Sequence, residues 1–339
     1  MQLNFAYKPY RRRFARPLQT AYGTWRTRDG WLLRLQAPDG HCGFGEVAPI
    51  PWFHPAESLA KVAQALQELP EQINFQLDSL PGDLLPSIRF GLETACWQLN
   101  AWQGLPAPQR RALQTACLLP QLSADPAALD QALSAGYTTF KIKIGVDASD
   151  VEKEQCVTIL QKLQGRGKLR LDANGGLTLD EAANWLELLD SFDAVEFLEQ
   201  PLSRGAEDAM LQLSRNYRTP IALDESVCTL ADLKACWTEF PQGPFVVKLG
   251  ILGSPHAWLD WRRAHPEPMI VYSSCLETVI GSAASLRIAA ADPQQPLAFG
   301  YGVSELFYPD LLQLKWQGPS IPLADLPSLE EFCSIWEAI

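Results

Sequence analysis

Leu169-Arg170-Leu171-Asp172-Ala173-Asn174 alternates apolar and polar side chains for six residues. That is the period of a β-strand, in which positions i and i+2 share a face. Phe140-Lys141-Ile142-Lys143-Ile144 repeats the alternation 29 residues earlier. If the apolar set of each strand packs on helices, Lys141 and Lys143, then Arg170, Asp172 and Asn174, project together into an enclosed interior. Further short apolar runs stand near 115–120, 194–199, 220–224, 245–250, 269–274 and 297–300, with helix-compatible stretches between most of them. Eight strand-then-helix units at intervals of about 25 residues predict an α/β fold of the (β/α), TIM-type barrel class. An open doubly wound sheet is the alternative, and it calls for a phosphate-binding loop after an early strand. Gly43-Phe44-Gly45-Glu46-Val47-Ala48 matches the spacing of such a loop, but Pro49 and Pro51 forbid the helix it needs. The stretch reads as a strand end and a loop.

Outside the barrel the rhythm differs. Residues 3–50 hold two or three strand-like runs, among them Trp31–Leu35 before the turn Pro38-Asp39-Gly40. Helical patterns cover Ala56–Leu69 and Ile88–Gln103. We therefore expect an N-terminal α+β capping domain over residues 1–108, a barrel over 109–310, and a tail, 311–339, that packs back on the cap or the barrel. Residues 18–30 and 43–54 read as loops, with Gly23, Gly43, Gly45, Pro49 and Pro51, and are expected to carry specificity near Thr24 and Phe53.

A net charge of −11 argues against a nucleic-acid partner. Arg11-Arg12-Arg13, the one basic run, reads as a solvated face. The eight cysteines are scattered without a CxxC pair, the pattern of reduced thiols in a cytoplasmic protein. No signal-peptide core and no apolar stretch of membrane-spanning length is present, so no membrane partner is expected.

The chemistry-bearing residues stand at the carboxyl ends of the expected strands: Lys143, Asp172, Glu199, Asp224 and Lys248. Successive separations are 29, 27, 25 and 24 residues. One charged group per βα unit, all at one height, converges on the mouth of a barrel, where barrel active sites lie. Three carboxylates at one point repel, and a hard divalent cation relieves that repulsion. All-oxygen ligands suit Mg²⁺ or Mn²⁺, and no His or Cys stands at these strand ends to favour zinc. A lysine whose pKa is lowered by Lys141 and the metal could serve as a base. The proton it would remove lies α to a metal-bound carboxylate, so the substrate is expected to be a small carboxylate.

With these residues in hand, the chain resembles the muconate-lactonizing subgroup of the enolase superfamily. The matching segments are Lys141–Lys143, Leu171–Asn174, Leu198–Pro201, Asp224–Ser226 and Val247–Gly250. The resemblance implies an α+β cap over a modified (β/α)₇β barrel. It also implies one Mg²⁺ held by Asp172, Glu199 and Asp224, with Lys143 and Lys248 as the acid/base pair. Gly43–Pro51, Arg170 and Tyr272–Glu277 look like the o-succinylbenzoate synthase family in particular, which adds Lys141, Arg170, Asn174, Ser273 and Ser274 as supporting or substrate-binding residues. The implied reaction is a syn-dehydration in menaquinone or phylloquinone biosynthesis. An N-acylamino acid racemase or dipeptide epimerase of the same superfamily stays open, as does a binding protein on the same fold. Dipeptide epimerases carry a DxD motif at the eighth strand, where this chain reads Ala298-Phe299-Gly300-Tyr301-Gly302.

Overall fold

The computed structural model describes the chain apart from residues 1, 21–22, 55–56, 75–79, 81, 104, 121–126, 147–148, 241–242, 295–296 and 317, and apart from the side chains of 19 and 304. Ala56, the expected start of the first helix, lies outside the described residues.

The chain opens with a long antiparallel ribbon. β1 (Gln2–Thr20) pairs with β2 (Gly23–Gln36), with a register irregularity between Arg13 and Leu18. β3 (Cys42–Val47) adds to β2, and β4 (Gln72–Asn74) adds to β1, giving the sheet order β3-β2-β1-β4. The expectation that 18–30 is a loop is corrected here. Those residues are largely ribbon, because each polar strand finds its backbone partners in the other. Residues 43–47 are likewise strand, and the loop begins at Ala48. The solvated-face reading of Arg11-Arg12-Arg13 is corrected as well. Side chains alternate, so Arg12 turns inward, pairs with Asp310 at 2.8 Å and lies 3.9 Å over the Phe307 ring.

Two helices, α1 (Leu59–Glu68) and α2 (Pro86–Leu99), cover one sheet face. Leu3, Phe5, Trp31, Leu33, Leu35 and Val47 pack there against Val62, Leu66, Ile88 and Leu92. The glycines of β3 have a steric cause: a Cβ at Gly45 would stand 1.9 Å from the carbonyl oxygen of Gly91, and one at Gly43 would stand 2.0 Å from that of Ala95. Backbone meets backbone, and only glycine fits. On the opposite face Tyr10, Leu32 and Phe44 join the main core.

β5 (Ala112–Gln114) is followed by the barrel: β6 (Cys117–Leu118), α3 (Ala128–Ser134), β7 (Thr139–Lys143), α4 (Ser149–Leu163), β8 (Lys168–Asp172), α5 (Leu179–Leu189), β9 (Val195–Glu199), α6 (Glu207–Asn216), β10 (Ile221–Ala222), α7 (Leu230–Glu239), β11 (Phe245–Val247), α8 (Leu249–Leu252), α9 (Pro255–Ala264), β12 (Ile270–Tyr272) and α10 (Val279–Ala290). β6 to β10 pair in parallel, as do β11 and β12. Parallel bridges Leu223–Phe245, Ser273–Gly300 and Thr115–Phe299 close the circle, with 297–300 as the eighth strand. Phe197, Ala222, Val246 and Val271 fill the interior with Leu297 beside them, so the barrel is a packed core and not a pore. Among the described residues no helix is long and apolar enough to cross a membrane.

The tail returns to both parts. β13 (Ser320–Pro322) pairs with β5, and α11 (Leu329–Ala338) sets Phe332 and Trp336 against Phe44 of the cap. A capping box at Ser328 and Glu331 starts α11.

Candidate active site

The site follows from strand register. Lys143 pairs with Asp172, and Asp172 with Glu199, so three charged residues stand at one height on β7, β8 and β9. Asp224 follows β10 and Lys248 follows β11. Counting from β6, Lys143 is on the second strand of eight and Lys248 at the end of the sixth. Four strands apart in an eight-stranded ring, they occupy opposite sides of the mouth, with the three carboxylates on the strands between.

Hydrogen bonds tie this ring together. Lys141 Nζ lies 2.7 Å from Asp172 and donates to both oxygens of Glu199 at 2.8 Å. Lys248 Nζ donates to Asp224. Lys143, exposed at the mouth, donates to Asn174 Oδ1 at 3.0 Å. Asn174 in turn donates its backbone N–H to Asp172 at 2.9 Å and its side-chain amide to Glu225 at 3.2 Å. Its φ of +45° falls in the left-handed region, which asparagine tolerates better than most residues.

Burial and mutual repulsion set the titration. Desolvation, with Asp172 and Asp224 beside it, pushes Glu199 up to about 7. Burial beside Asp224 and Asp172 pushes Glu225 up to about 8. Burial works the same way on Asp172, but the Lys141 and Lys143 ammonium groups outweigh it and hold that carboxyl below its ordinary value. For Lys141 and Lys248 burial favours the neutral amine, and the surrounding carboxylates overcome it and raise both. Lys141 is thus a fixed cation on two carboxylates.

Does this set of residues fit a divalent cation? Among the described residues no three carboxylate, imidazole or thiol groups already meet in ligating geometry, because the ammonium groups draw the carboxylates to themselves. The donor set nonetheless fits a hard ion. Asp172, Glu199 and Asp224 are 3, 1 and 4% exposed, all-oxygen and adjacent, and burial together with the charges of Asp172 and Asp224 raises Glu199.

Other expected residues take different places. Arg170 lies below this layer, donating to Glu196 at 2.6 Å and to the Ala298 carbonyl at 2.6 Å, over the Phe197 ring. There it packs against the barrel interior. Ser273 donates to the Gly300 carbonyl at 3.3 Å, and Ser274 is turned to Glu277 at 2.7 Å. Two participants, Gln200 and Glu225, escaped the sequence reading, and for Phe53 it gave a place near the specificity segments but not its contact. Gln200 accepts from the N–H groups of Asp224 and Ser226 at 2.9 and 3.2 Å, fixing the turn that carries Asp224. Its position between a strand-end carboxylate and Pro201 was the available signal. Glu225 is buried with one oxygen unpartnered. The Phe53 ring of the cap lies 4.5 Å from Lys248 Nζ, a contact between residues 195 apart that local sequence does not disclose.

Comparison with known proteins agrees with this geometry. Residues 125–299 match the enolase C-terminal domain-like family, and residues 19–99 match the MenC N-terminal domain. An o-succinylbenzoate synthase of Thermosynechococcus vestitus is 32% identical over 99% of both chains. The crystal structure of o-succinylbenzoate synthase from Thermosynechococcus elongatus BP-1, complexed with Mg in the active site, superposes with a TM-score of 0.82 at 30% identity, covering 99% of this chain and 100% of the other. An L-Ala-D/L-Glu epimerase from Bacillus subtilis, 20% identical with a TM-score of 0.81 over 94% of this chain and 95% of its own, shares the fold. The chain belongs to the o-succinylbenzoate synthase family of the enolase superfamily.

Proposed function

We propose that this protein is a metal-dependent hydro-lyase that converts 2-succinyl-6-hydroxy-2,4-cyclohexadiene-1-carboxylate to 2-succinylbenzoate and water, in the cytoplasm, as a step of menaquinone or phylloquinone biosynthesis. The observation that carries the reading is the ring itself: three buried carboxylates on successive strands, flanked across the mouth by Lys143 and Lys248. Its partner is a small carboxylate, with no nucleic acid. Residues 1–108, completed by 311–339, serve as the cap, and 109–310 as the catalytic barrel.

Asp172, Glu199 and Asp224 would hold Mg²⁺, or Mn²⁺ in its place. Bound there, the ion supplies positive charge to the substrate carboxylate as negative charge develops on it. Lys141, fixed between Asp172 and Glu199, keeps those ligands in place. Lys143 takes the proton α to the carboxylate and returns it to the departing hydroxyl on the same face, so one proton and one hydroxyl leave as water. Asn174 orients the Lys143 amine through the 3.0 Å contact. Lys248 faces the other side of the ring and favours the aromatic product by a cation–π contact.

Conversion of the diene, followed by ultraviolet absorbance with the product identified by NMR, tests the reading. Incubating N-succinyl amino acids in D₂O tests the racemase alternative, which needs α-proton exchange. Diene turnover supports the synthase, and exchange without diene turnover replaces it.

A further inference from the structure

Glu46 and Arg28 do no chemistry in this scheme, yet both are almost fully buried where cap meets barrel. Glu46 belongs to β3, in the glycine-containing stretch whose likeness to a phosphate loop is only formal. Its oxygens accept from the Thr278 N–H at 2.9 and 3.0 Å, from the Gly281 N–H at 2.9 Å, and from the hydroxyls of Thr278 and Tyr10. The first turn of α10 is therefore capped by a carboxylate from the cap, where the unsatisfied N–H groups and the helix dipole favour an anion. A Cβ at 281 would stand 2.7 Å from a Glu46 oxygen, so any larger residue there would have to displace the carboxylate.

Arg28 grips the same segment from β2. Its Nε donates to the Leu276 carbonyl at 3.2 Å, and its Nη1 donates to the Pro49 carbonyl at 2.8 Å. Between the two anchors runs the turn Ser273–Thr278, in which Leu276 has φ of +63°, a conformation leucine adopts only when its surroundings impose it. Ser274 and the N–H of Cys275 bond Glu277, each at 2.7 Å, and complete the restraint.

Two residues of this turn bear on the reacting centre. The Ser273 N–H donates to the Val247 carbonyl at 2.9 Å, which sets Ser273 beside Lys248 on the neighbouring strand end. Cys275 packs in one apolar cluster with Ala48, Ile50, Phe53 and Ile251, and Phe53 covers Lys248.

We propose that Glu46, seconded by Arg28, is a positioning residue: it locks the 273–278 turn and thereby sets Ser273 and Phe53 around Lys248. The effect on turnover rests on the function proposed above, whereas the lock itself does not.

Glu46→Gln keeps the side-chain volume but leaves one acceptor oxygen where there were two, so the N–H groups of Thr278 and Gly281 can no longer all be satisfied as in the parent. Leu66→Ala is the control, since Leu66 lies on the buried face of α1 in the cap core, away from the join. Amide hydrogen exchange of residues 274–281, kcat and KM at saturating Mg²⁺ are measured at a temperature where all variants are folded by circular dichroism. In E46Q, exchange over 278–281 is expected to rise about tenfold or more. Its kcat is expected to fall about tenfold or more, with KM within about threefold. Glu46→Asp, which restores the charge, is expected to recover part of kcat. L66A should lower Tm and keep kcat within about twofold. Parent exchange in E46Q overturns the proposal, as does faster exchange with unchanged kcat, or an equal loss of kcat in L66A. Should E46Q not fold, Thr278→Val removes one donor more gently, with a loss of about threefold expected and parent exchange and kcat overturning the idea. A parent enzyme inert toward the diene would fail the function proposed above, and the exchange arm would still decide the lock.

Discussion

Two clusters of buried charge sit on either side of the barrel wall, and they are built on opposite principles. Outside it, Arg262 of α9 meets Asp292 at 3.0 and 3.1 Å, one cation for one anion. The remaining groups are filled: Arg262 donates to the carbonyls of His265 and Pro268, and Asp292 accepts from Tyr272 at 2.6 Å and from the Gln294 N–H at 2.9 Å. At the mouth, Asp172, Glu199, Asp224 and Glu225 share two part-buried ammonium groups, Lys141 and Lys248, and one Glu225 oxygen has no partner among the described residues. The first cluster is electrically closed and serves the fold. The second holds more carboxyl groups than ammonium groups, an imbalance that a divalent cation relieves, and so serves chemistry.

Breaking each cluster should therefore produce different kinds of damage. At the mouth the largest effect is expected from Lys143→Ala, which should lower diene turnover by about 10²–10⁴-fold with little change in Tm. Steady-state kinetics beside a thermal melt check this. In the closed cluster Asp292→Ala strands a buried guanidinium and should cost about 3–5 kcal/mol of stability. Urea unfolding measures that loss, while kcat per folded molecule should stay near the parent's.

Glu57 sharpens the contrast, being a buried carboxylate with no place at the mouth and no cation paired with it among the described residues. One of its oxygens accepts from Ser87 N–H and Oγ at 2.8 and 3.0 Å, and the other has no partner among the described residues. Burial raises its pKa from 4.5 to about 7. A carboxyl raised on folding favours the native state fully below pH 4.5, and that advantage is lost as pH climbs from there through about 7. Glu57→Gln keeps the acceptor oxygen and should remove this slope, stabilising the protein at pH 8 by up to about 3 kcal/mol. Urea unfolding at pH 5 and pH 8 reads it directly. The smallest effect is expected from Lys248→Arg, which keeps the charge but exchanges no proton. Dehydration should persist within about tenfold of the parent, since one face suffices for the reaction. Normal turnover in Lys143→Ala with a dead Lys248→Arg would reverse the assignment of the base.

How far the sequence disclosed this molecule depends on the range of the interaction. The barrel was legible because alternation along each strand is local, and Asp172, Glu199 and Asp224 stood out as charges ending apolar runs. What failed to show was set by distant partners. Arg12 is buried only because Asp310 and Phe307 lie some 300 residues on. Residues 18–30 are polar and glycine-containing, and they become ribbon only through pairing with each other's strand. Glu46 looked like part of a loop motif, whereas its task is to cap a helix 232 residues away. Arg170 shares its strand face with Asp172, but being two residues earlier it sits one layer deeper, on Glu196.

If the surplus of carboxyl groups at the mouth holds a cation that the dehydration requires, removing that cation must stop turnover. Turnover of the diene after exhaustive chelation, and again after Mg²⁺ is restored, tests it most directly, with Glu199→Gln measured alongside. No turnover is expected in the chelated enzyme, with recovery on adding Mg²⁺ and no recovery in the folded Glu199→Gln variant. Undiminished turnover by the chelated parent would contradict it.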